Sequence, residues 1–461
     1  MSVRPAYKAA TAPALACCAA MFMIMLDTTI VNVVLPDVRH ALGASLAAGG
    51  WAITAYALAF GAFVLPLGQL ADGAGAPTVL TVALAGFGVS SAACAAAPSV
   101  EVLVALRALQ GVSAAALAPS SLSMLLAVAG PEGRGRALAL WTAAGSSAGA
   151  LGPTLGGALA GAGAWRLVFL VNVPVTIAAI VALAAHRPAD GAPREAGRRR
   201  PDLGGSLLAV VAIGAPSAAV SAAGDGVWAW AAPQCVGAVA VGVLAGALLA
   251  RRATRHPRPA LDPRLWRRRA AQVGLAGTFA HGMTMFGLLS TNVLFLRDVW
   301  DLSPLQTGLA VSPSPILASA CALVSGRLVR RAGARGVALS GALLLAGGCL
   351  LLAAHPPPPG AYLTGWLPAA VLTGAGNGLA FPALSAVVVG AAPGDARGAA
   401  GAAITASRQL AAVLGIATCL AVLGPAPGLG AHRAVWALLT ACALGTAAVA
   451  GRVGRAGRVP A

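Results

Sequence analysis

Acidic residues are scarce: 461 residues carry only 13 Asp and Glu. Lys8 is the sole lysine, and charged residues of every kind make up 10% of the chain. A soluble surface is excluded, because soluble domains carry charge on about a quarter of their residues. Chemistry-bearing patterns are also missing. No apolar run holds an HExxH metal pair, a GxxxxGK[ST] phosphate loop, or a Ser/His/Asp or Cys/His constellation. A membrane-embedded enzyme and an ATP-driven pump both lose their basis, so no catalytic residue is expected. The eight cysteines (17, 18, 94, 235, 321, 349, 419 and 442) show no metal-ligand spacing and read as small packing residues, so neither metal nor cofactor is expected. ALAC before Cys17 resembles a lipoprotein cleavage site, but the apolar run continues to Leu35, which favours an uncleaved first helix.

What fills the chain is apolar sequence: 58% hydrophobic residues and a mean hydropathy of +0.83. A spanning helix needs about 20 mostly apolar residues. Fourteen runs qualify, near 12–36, 48–70, 78–97, 101–128, 136–160, 166–185, 205–224, 233–250, 271–296, 305–328, 336–354, 362–391, 399–423 and 433–451. No gap between them is long enough for a soluble domain. An even number puts both termini on one side. Threading the chain on that basis leaves 25 Arg and Lys in loops on the side of the termini and 4 opposite, with Arg107 and Arg408 inside spans. Basic loops remain cytoplasmic, so both termini are expected inside, with the protein multi-pass in a bacterial cytoplasmic membrane. The formal net charge of +18 thus reflects topology and contact with anionic lipid, not nucleic acid.

The two ends of the chain echo each other. GQLADGAGAP (68–77) matches GRLVRRAGAR (326–335) at an offset of 258. PEGRGRALA (131–139) matches PGDARGAAG (393–401) at 262, and LQGVSAAALAPSSLSMLL (109–126) matches LTGAGNGLAFPALSAVVV (372–389) at 263. The shared offset divides the chain into a six-helix bundle at 1–186, two inserted helices with Arg-rich connectors at 187–270, and a second six-helix bundle at 271–461. Paired six-helix halves are a transporter architecture, with the site near the bilayer midplane between them. In the first pair of copies Asp72 stands where the second has Arg330. Asp72 either meets Arg330 or Arg136 in a cytoplasmic gate, or ends a helix at a turn.

Single residues sharpen the reading. LDTTIVNVVLPDV (26–38) holds Asp27, the only acid well inside a span, and a carboxylate there costs about 3 kcal/mol. Arg107 lies at comparable depth in the fourth span, and the two either couple protons or fix packing. GSSAGALGPTLGG places Gly145, Gly149, Gly152 and Gly156 on one helical face beside Pro153, a surface for sliding or for tight packing. His281 either relays protons or packs with a hydrogen bond. Arg408 either binds an anionic part of a substrate or anchors a helix end. Asn32, Tyr56, Gln110, Asn292 and Asn377 are further polar or aromatic groups suited to a cavity.

Together these motifs resemble the major facilitator superfamily, specifically its fourteen-helix drug:proton antiporter branch of methylenomycin and quaternary-ammonium resistance exporters. LDTTIVNVVLPDV resembles that branch's first-helix signature, GQLADGAGAP the loop motif, RALQGVSAAALAP the fourth-helix motif and GSSAGALGPTLGG the antiporter motif. WAITAYALAF, WRLVFLVNVP and SRQLAAVLG are similar too, so the resemblance spans the chain. The loop motif departs from the family, because GAGAPTVL lacks the usual basic residues. The resemblance implies an all-α major facilitator fold and proton-coupled export of small organic molecules by alternating access. Asp27, Arg107 and His281 would couple protons, with substrate and proton competing at Asp27. The expected partners are a small-molecule substrate, protons and the bilayer, and a monomer is expected. A proton-coupled importer, a specific metabolite exporter and a transport-inactive sensor are the competing readings.

Overall fold

A computed structural model describes residues 4–185, 202–224, 228–229, 231–256, 267–392, 397–424 and 428–453, without the side chains of 4–11, 72, 131–132, 134–135, 139 and 397–398. The Arg-rich connector at 187–200, Arg258, Arg264 and the Asp72 side chain therefore lie outside the described residues. All regular structure among the described residues is helical. The helices are α1 (Arg4–Leu42), α2 (Leu46–Ala74), α3 (Ala76–Ala95), α4 (Val100–Gly161), α5 (Leu167–Leu170), α6 (Asn172–Ala184), α7 (Leu203–Gly224) and α8 (Pro233–Arg255). They continue as α9 (Arg269–Asp298), α10 (Pro304–Val311), α11 (Pro313–Ala354), α12 (Leu367–Ala391, entered through a π-turn at Tyr362–Trp366), α13 (Arg397–Leu423) and α14 (Leu429–Gly451).

Apolar length makes these helices, since backbone groups in hydrocarbon must bond within the segment. Polar caps mark their ends. Ser45 and Ser99 accept from backbone amides three residues on, and Ser303 with Gln306 forms a capping box at the start of α10. Pro36 does not close the first helix as a break would, because α1 runs through it to Leu42. The hydrogen bond a proline removes is tolerated where neighbouring helices hold the segment.

Twelve stretches are long and apolar enough to cross a membrane, one of them the 51 residues Pro304–Ala354. At about 1.5 Å per residue that stretch is about 77 Å long, more than twice a hydrocarbon core of about 30 Å. It is broken at Gly333 (φ 80°), and α4 is broken at Gly130 (φ 65°), beyond which 131–161 form a further helical stretch. The two breaks fall between the apolar runs read at 101–128 and 136–160 and between those at 305–328 and 336–354. Gly75 (φ 94°) makes the same positive-φ turn between α2 and α3 that Gly333 makes within the second copy of the repeat, 258 positions later. A side chain at either would be strained, which is why the turn keeps glycine in both copies.

Packing follows the chain order. α1 packs on α4 and α6, α2 and α3 on α4, and α3 on α6; later in the chain α9 packs on α12, α13 and α14, and α11 on α12 and α14. Between these sets α4 meets α10 and α2 meets α13. α7 and α8 pair with each other, and α7 also touches α2 and α13. Val236, Val243 and Leu244 of α8 stand 60–68% exposed, as residues facing lipid do. α2 is mostly buried, whereas α7 and α8 are the least buried of the spanning helices.

Candidate functional site

Asp27 sits in α1 with no exposed surface, and its carboxylate is fully engaged. Oδ2 accepts from Arg107 Nη1 at 2.6 Å, while Oδ1 accepts from Gln110 Nε2 at 3.1 Å and from Asn172 Nδ2 at 3.4 Å. Arg107 is equally buried and saturated from several sides. Its Nη1 also donates to Gln110 Oε1 at 2.6 Å, its Nε donates to the Ala52 carbonyl at 2.8 Å, and its guanidinium lies 4.3 Å over the Tyr56 ring. Arg107 and Gln110 share one face of α4 because they are three residues apart. Ser91 of α3 completes the network, accepting from Gln110 and Asn172 and donating to the Phe169 carbonyl at 2.7 Å. A charge pair withdrawn from water survives only with partners of this kind. Six helices, α1 to α6, each contribute a group, α5 through the Phe169 carbonyl.

A separate cavity lies between the two sets of helices. Thr29, Gly149 and Pro153 form one wall; Asn292, Ser314 and Asn377 stand on the other. Trp436 Nε1 donates to Asn292 Oδ1 at 3.1 Å, and Asn377 Oδ1 meets His281 Nε2 at 2.8 Å, so both cavity amides are held from behind. Of the glycine stripe, Gly149 opens onto the cavity, whereas Gly145, Gly152 and Gly156 face α1 through Met21, Thr29 and Ile30. The neighbouring Gly157 comes against the Pro304 carbonyl, and Gly308 comes against the Pro153 carbonyl. α4 and α10 approach backbone to backbone there.

Beyond the cavity, towards the C-terminal end of α1, the two sets of helices are tied together. Ser290 donates to Asn32 Oδ1 at 2.7 Å, the Thr154 and Ser312 hydroxyls meet at 2.7 Å, and Arg297 pairs with Asp37 at 3.1 Å. An open cleft of about 1100 Å³ lies outside these ties, bordered by Asp37, Arg39, His40, Arg297, Asp298 and Asp301.

Several residues lie elsewhere than the cavity their type suggested. Tyr56 and Gln110 belong to the Asp27 network, because Arg107 needs an aromatic face and an amide acceptor once it leaves water. Asn32 is 1% exposed and ties α1 to α9. Asn292 and Asn377 are on the cavity wall; Arg408 stacks on Phe381 with its Cζ 4.9 Å from the ring centroid. Arg136 and Arg330 are exposed. Competition between proton and substrate at Asp27 meets a geometric obstacle: the carboxylate is sealed within one set of helices and does not line the cavity. Asn172 and Ser91 escaped the sequence reading, although Asn172 lies inside WRLVFLVNVP, a motif already singled out.

Comparison with known proteins supplies the family. The model described as Major Facilitator Superfamily matches residues 17–416. The chain belongs to the major facilitator superfamily. This transporter is 35% identical over 405 residues to the puromycin resistance protein pur8 of Streptomyces alboniger, covering 87% of this chain and 79% of that protein. It is 33% identical over 406 residues to the methylenomycin A resistance protein of Streptomyces coelicolor, covering 87% and 83%. Among solved structures, a bacterial homologue of the human lysosomal transporter Spinster superposes with a TM-score of 0.66 at 15% identity, over 98% of this chain and 97% of that one. That likeness supports the fold alone. The chain is thus a multi-pass membrane protein of a transporter family, similar to proteins named for antibiotic resistance.

Proposed function

We propose that this facilitator is a proton-coupled exporter of antibiotic-like small molecules, working by alternating access. The observation that carries the reading is the Asp27–Arg107 pair. It is an acid and a base sealed together inside the membrane, next to a cavity walled by both sets of helices. A buried pair is a two-state element. With Asp27 ionised, Arg107 is neutralised and α1, α3, α4 and α6 are drawn together. Protonating Asp27 removes the charge that holds Arg107, and the amides of Gln110 and Asn172 then meet a neutral carboxyl, a weaker acceptor. Since α1 and α4 also supply Thr29, Gly149 and Pro153 to the cavity wall, the protonation state of Asp27 reaches the substrate through helix packing, not through direct contact.

The conformer described is closed at the C-terminal end of α1. With both termini in the cytoplasm, as the arginine distribution supports, that is the outer face. Fourteen crossings, six-helix bundles at 1–186 and 271–461 with α7 and α8 inserted between them, and a monomeric working unit complete the proposal. The backbone contact at Gly157 and Gly308 forms the outer closure, and opening it requires α4 and α10 to part. The names of the relatives make puromycin and methylenomycin A the first compounds to test. Purified protein in liposomes with an internal pH dye should show proton movement on addition of a transported compound. Movement of compound across the bilayer without any proton movement would sink the coupled reading.

A further inference from the structure

Arg107 and Arg408 are both guanidinium groups set within spans, yet they are treated oppositely. Arg107 has a carboxylate, an amide oxygen and a backbone carbonyl. Arg408, near the middle of α13, has no ion pair and no hydrogen bond among the described residues, and its Nε is buried without a partner. A guanidinium that merely anchored a helix end would take backbone carbonyls, as Arg107 takes Ala52. What Arg408 does have is a platform. Its guanidinium lies over Phe381 of α12, and the His281 ring of α9 stacks on the same Phe381 with an interplanar angle of 18° and a centroid distance of 6.2 Å. His281 in turn holds Asn377, which stands on the cavity wall. The cluster therefore runs from the cavity wall to an unmatched cation.

Charge counting points the same way. Asp27 is the one acid well inside a span, and Arg107 already takes it. One positive charge is left over, on Arg408. A guanidinium is a planar fork suited to carboxylate, sulfonate or phosphate, and an unpaired one in hydrocarbon is costly enough to mark a functional site.

We propose that Arg408, Phe381, His281 and Asn377 form an anion-recognition subsite for the exported compound, which carries an acidic group beside a planar ring. Resting on the transport reading, this deepens it by naming a substrate class: Arg408 takes the anionic group, and Phe381 takes the ring. Amphipathic cations, by contrast, meet a site of their own sign.

The test uses the full chain in nanodiscs of zwitterionic phosphatidylcholine, with 9-anthracenecarboxylate and its methyl ester as fluorescent probes. Wild type should bind the carboxylate at least tenfold more tightly than the ester. Arg408→Gln should abolish that preference, and Arg408→Lys, which keeps the charge, should retain part of it. Phe381→Leu should weaken both probes alike. Phosphatidylglycerol added to the nanodiscs distinguishes the two sources of an anionic group: competition with the carboxylate would assign the subsite to lipid headgroups and overturn the proposal. Equal affinity for the two probes, failure of both to bind, or a preference unchanged in Arg408→Gln would also overturn it. Proton flux through wild type in liposomes separates the two readings: a carboxylate preference in nanodiscs without any compound-driven proton flux leaves the subsite standing and removes the coupled-transport reading alone.

Discussion

Replacing Arg107 by Met tests whether the buried pair is held as a unit. Arg107 is fully buried and 2.6 Å from Asp27 Oδ2, and Met approximates the length of its stem. Removing one partner of a buried ion pair costs about 3–5 kcal/mol, because the other charge is stranded. The Asp27→Asn change strands the Arg107 cation by the same rule: Arg107 keeps the Ala52 carbonyl, Gln110 Oε1 and the Tyr56 face but loses its countercharge, so the loss is again about 3–5 kcal/mol. In the double variant no charge remains, and an apolar side chain fills the space. The double should be more stable than Arg107→Met alone, with a coupling of about 2 kcal/mol or more between the two positions. Unfolding in mixed micelles, followed by tryptophan fluorescence, measures all three. Losses that simply add, or an Arg107→Met loss below about 1 kcal/mol, would refute the reasoning.

Two other expectations follow from the same geometry. Gly308→Ala places a Cβ against the Pro153 carbonyl, so the closed end should open, and cysteines introduced beside Asp37 should react faster with a membrane-impermeant maleimide; an unchanged rate would show that the Gly157 and Gly308 contact does not set the closure. Asn172→Leu removes one donor from Asp27 Oδ1 and one from Ser91, and should lower stability by about 1–3 kcal/mol while shifting the pH at which transport is half-maximal; a shift of stability with no movement of the pH profile would place Asn172 outside the coupling network.

Much of the fold was legible because lipid imposes a simple rule. Apolar runs of sufficient length become helices, and the runs found at 205–224 and 362–391 fall within a few residues of α7 and of the stretch Tyr362–Ala391. The repeat was legible in the offset shared by three matched stretches, and the offset of 258 sets Gly75 over Gly333, both of positive φ. Helix ends were less legible. The first apolar run was read as ending near 36, yet α1 continues through Pro36 to Leu42, because a proline in a span is held by its neighbours and no local rule says which neighbours exist. Pairing of Asp27 with Arg107 could be argued from depth alone, since there was no other acid for Arg107 to meet. Which polar residues face the cavity could not. Tyr56, Gln110, Asn292 and Asn377 look alike in sequence, and only helix rotation decides that the first two serve Arg107 and the last two the cavity. Ser91 and Asn172 were missed for the same reason: a serine or asparagine in a span carries no mark of its partner 80 residues away.

The most direct test of the account is proton-coupled transport by Asp27→Asn in proteoliposomes, measured beside wild type with a compound that the wild type exports. Asn cannot take up and release the proton but can still accept from Gln110 and Asn172, so compound exchange down its own gradient should persist. Accumulation driven by a pH gradient, and compound-dependent proton flux, should disappear. Flux in the variant equal to that of wild type would contradict the assignment of Asp27 as the coupling carboxylate.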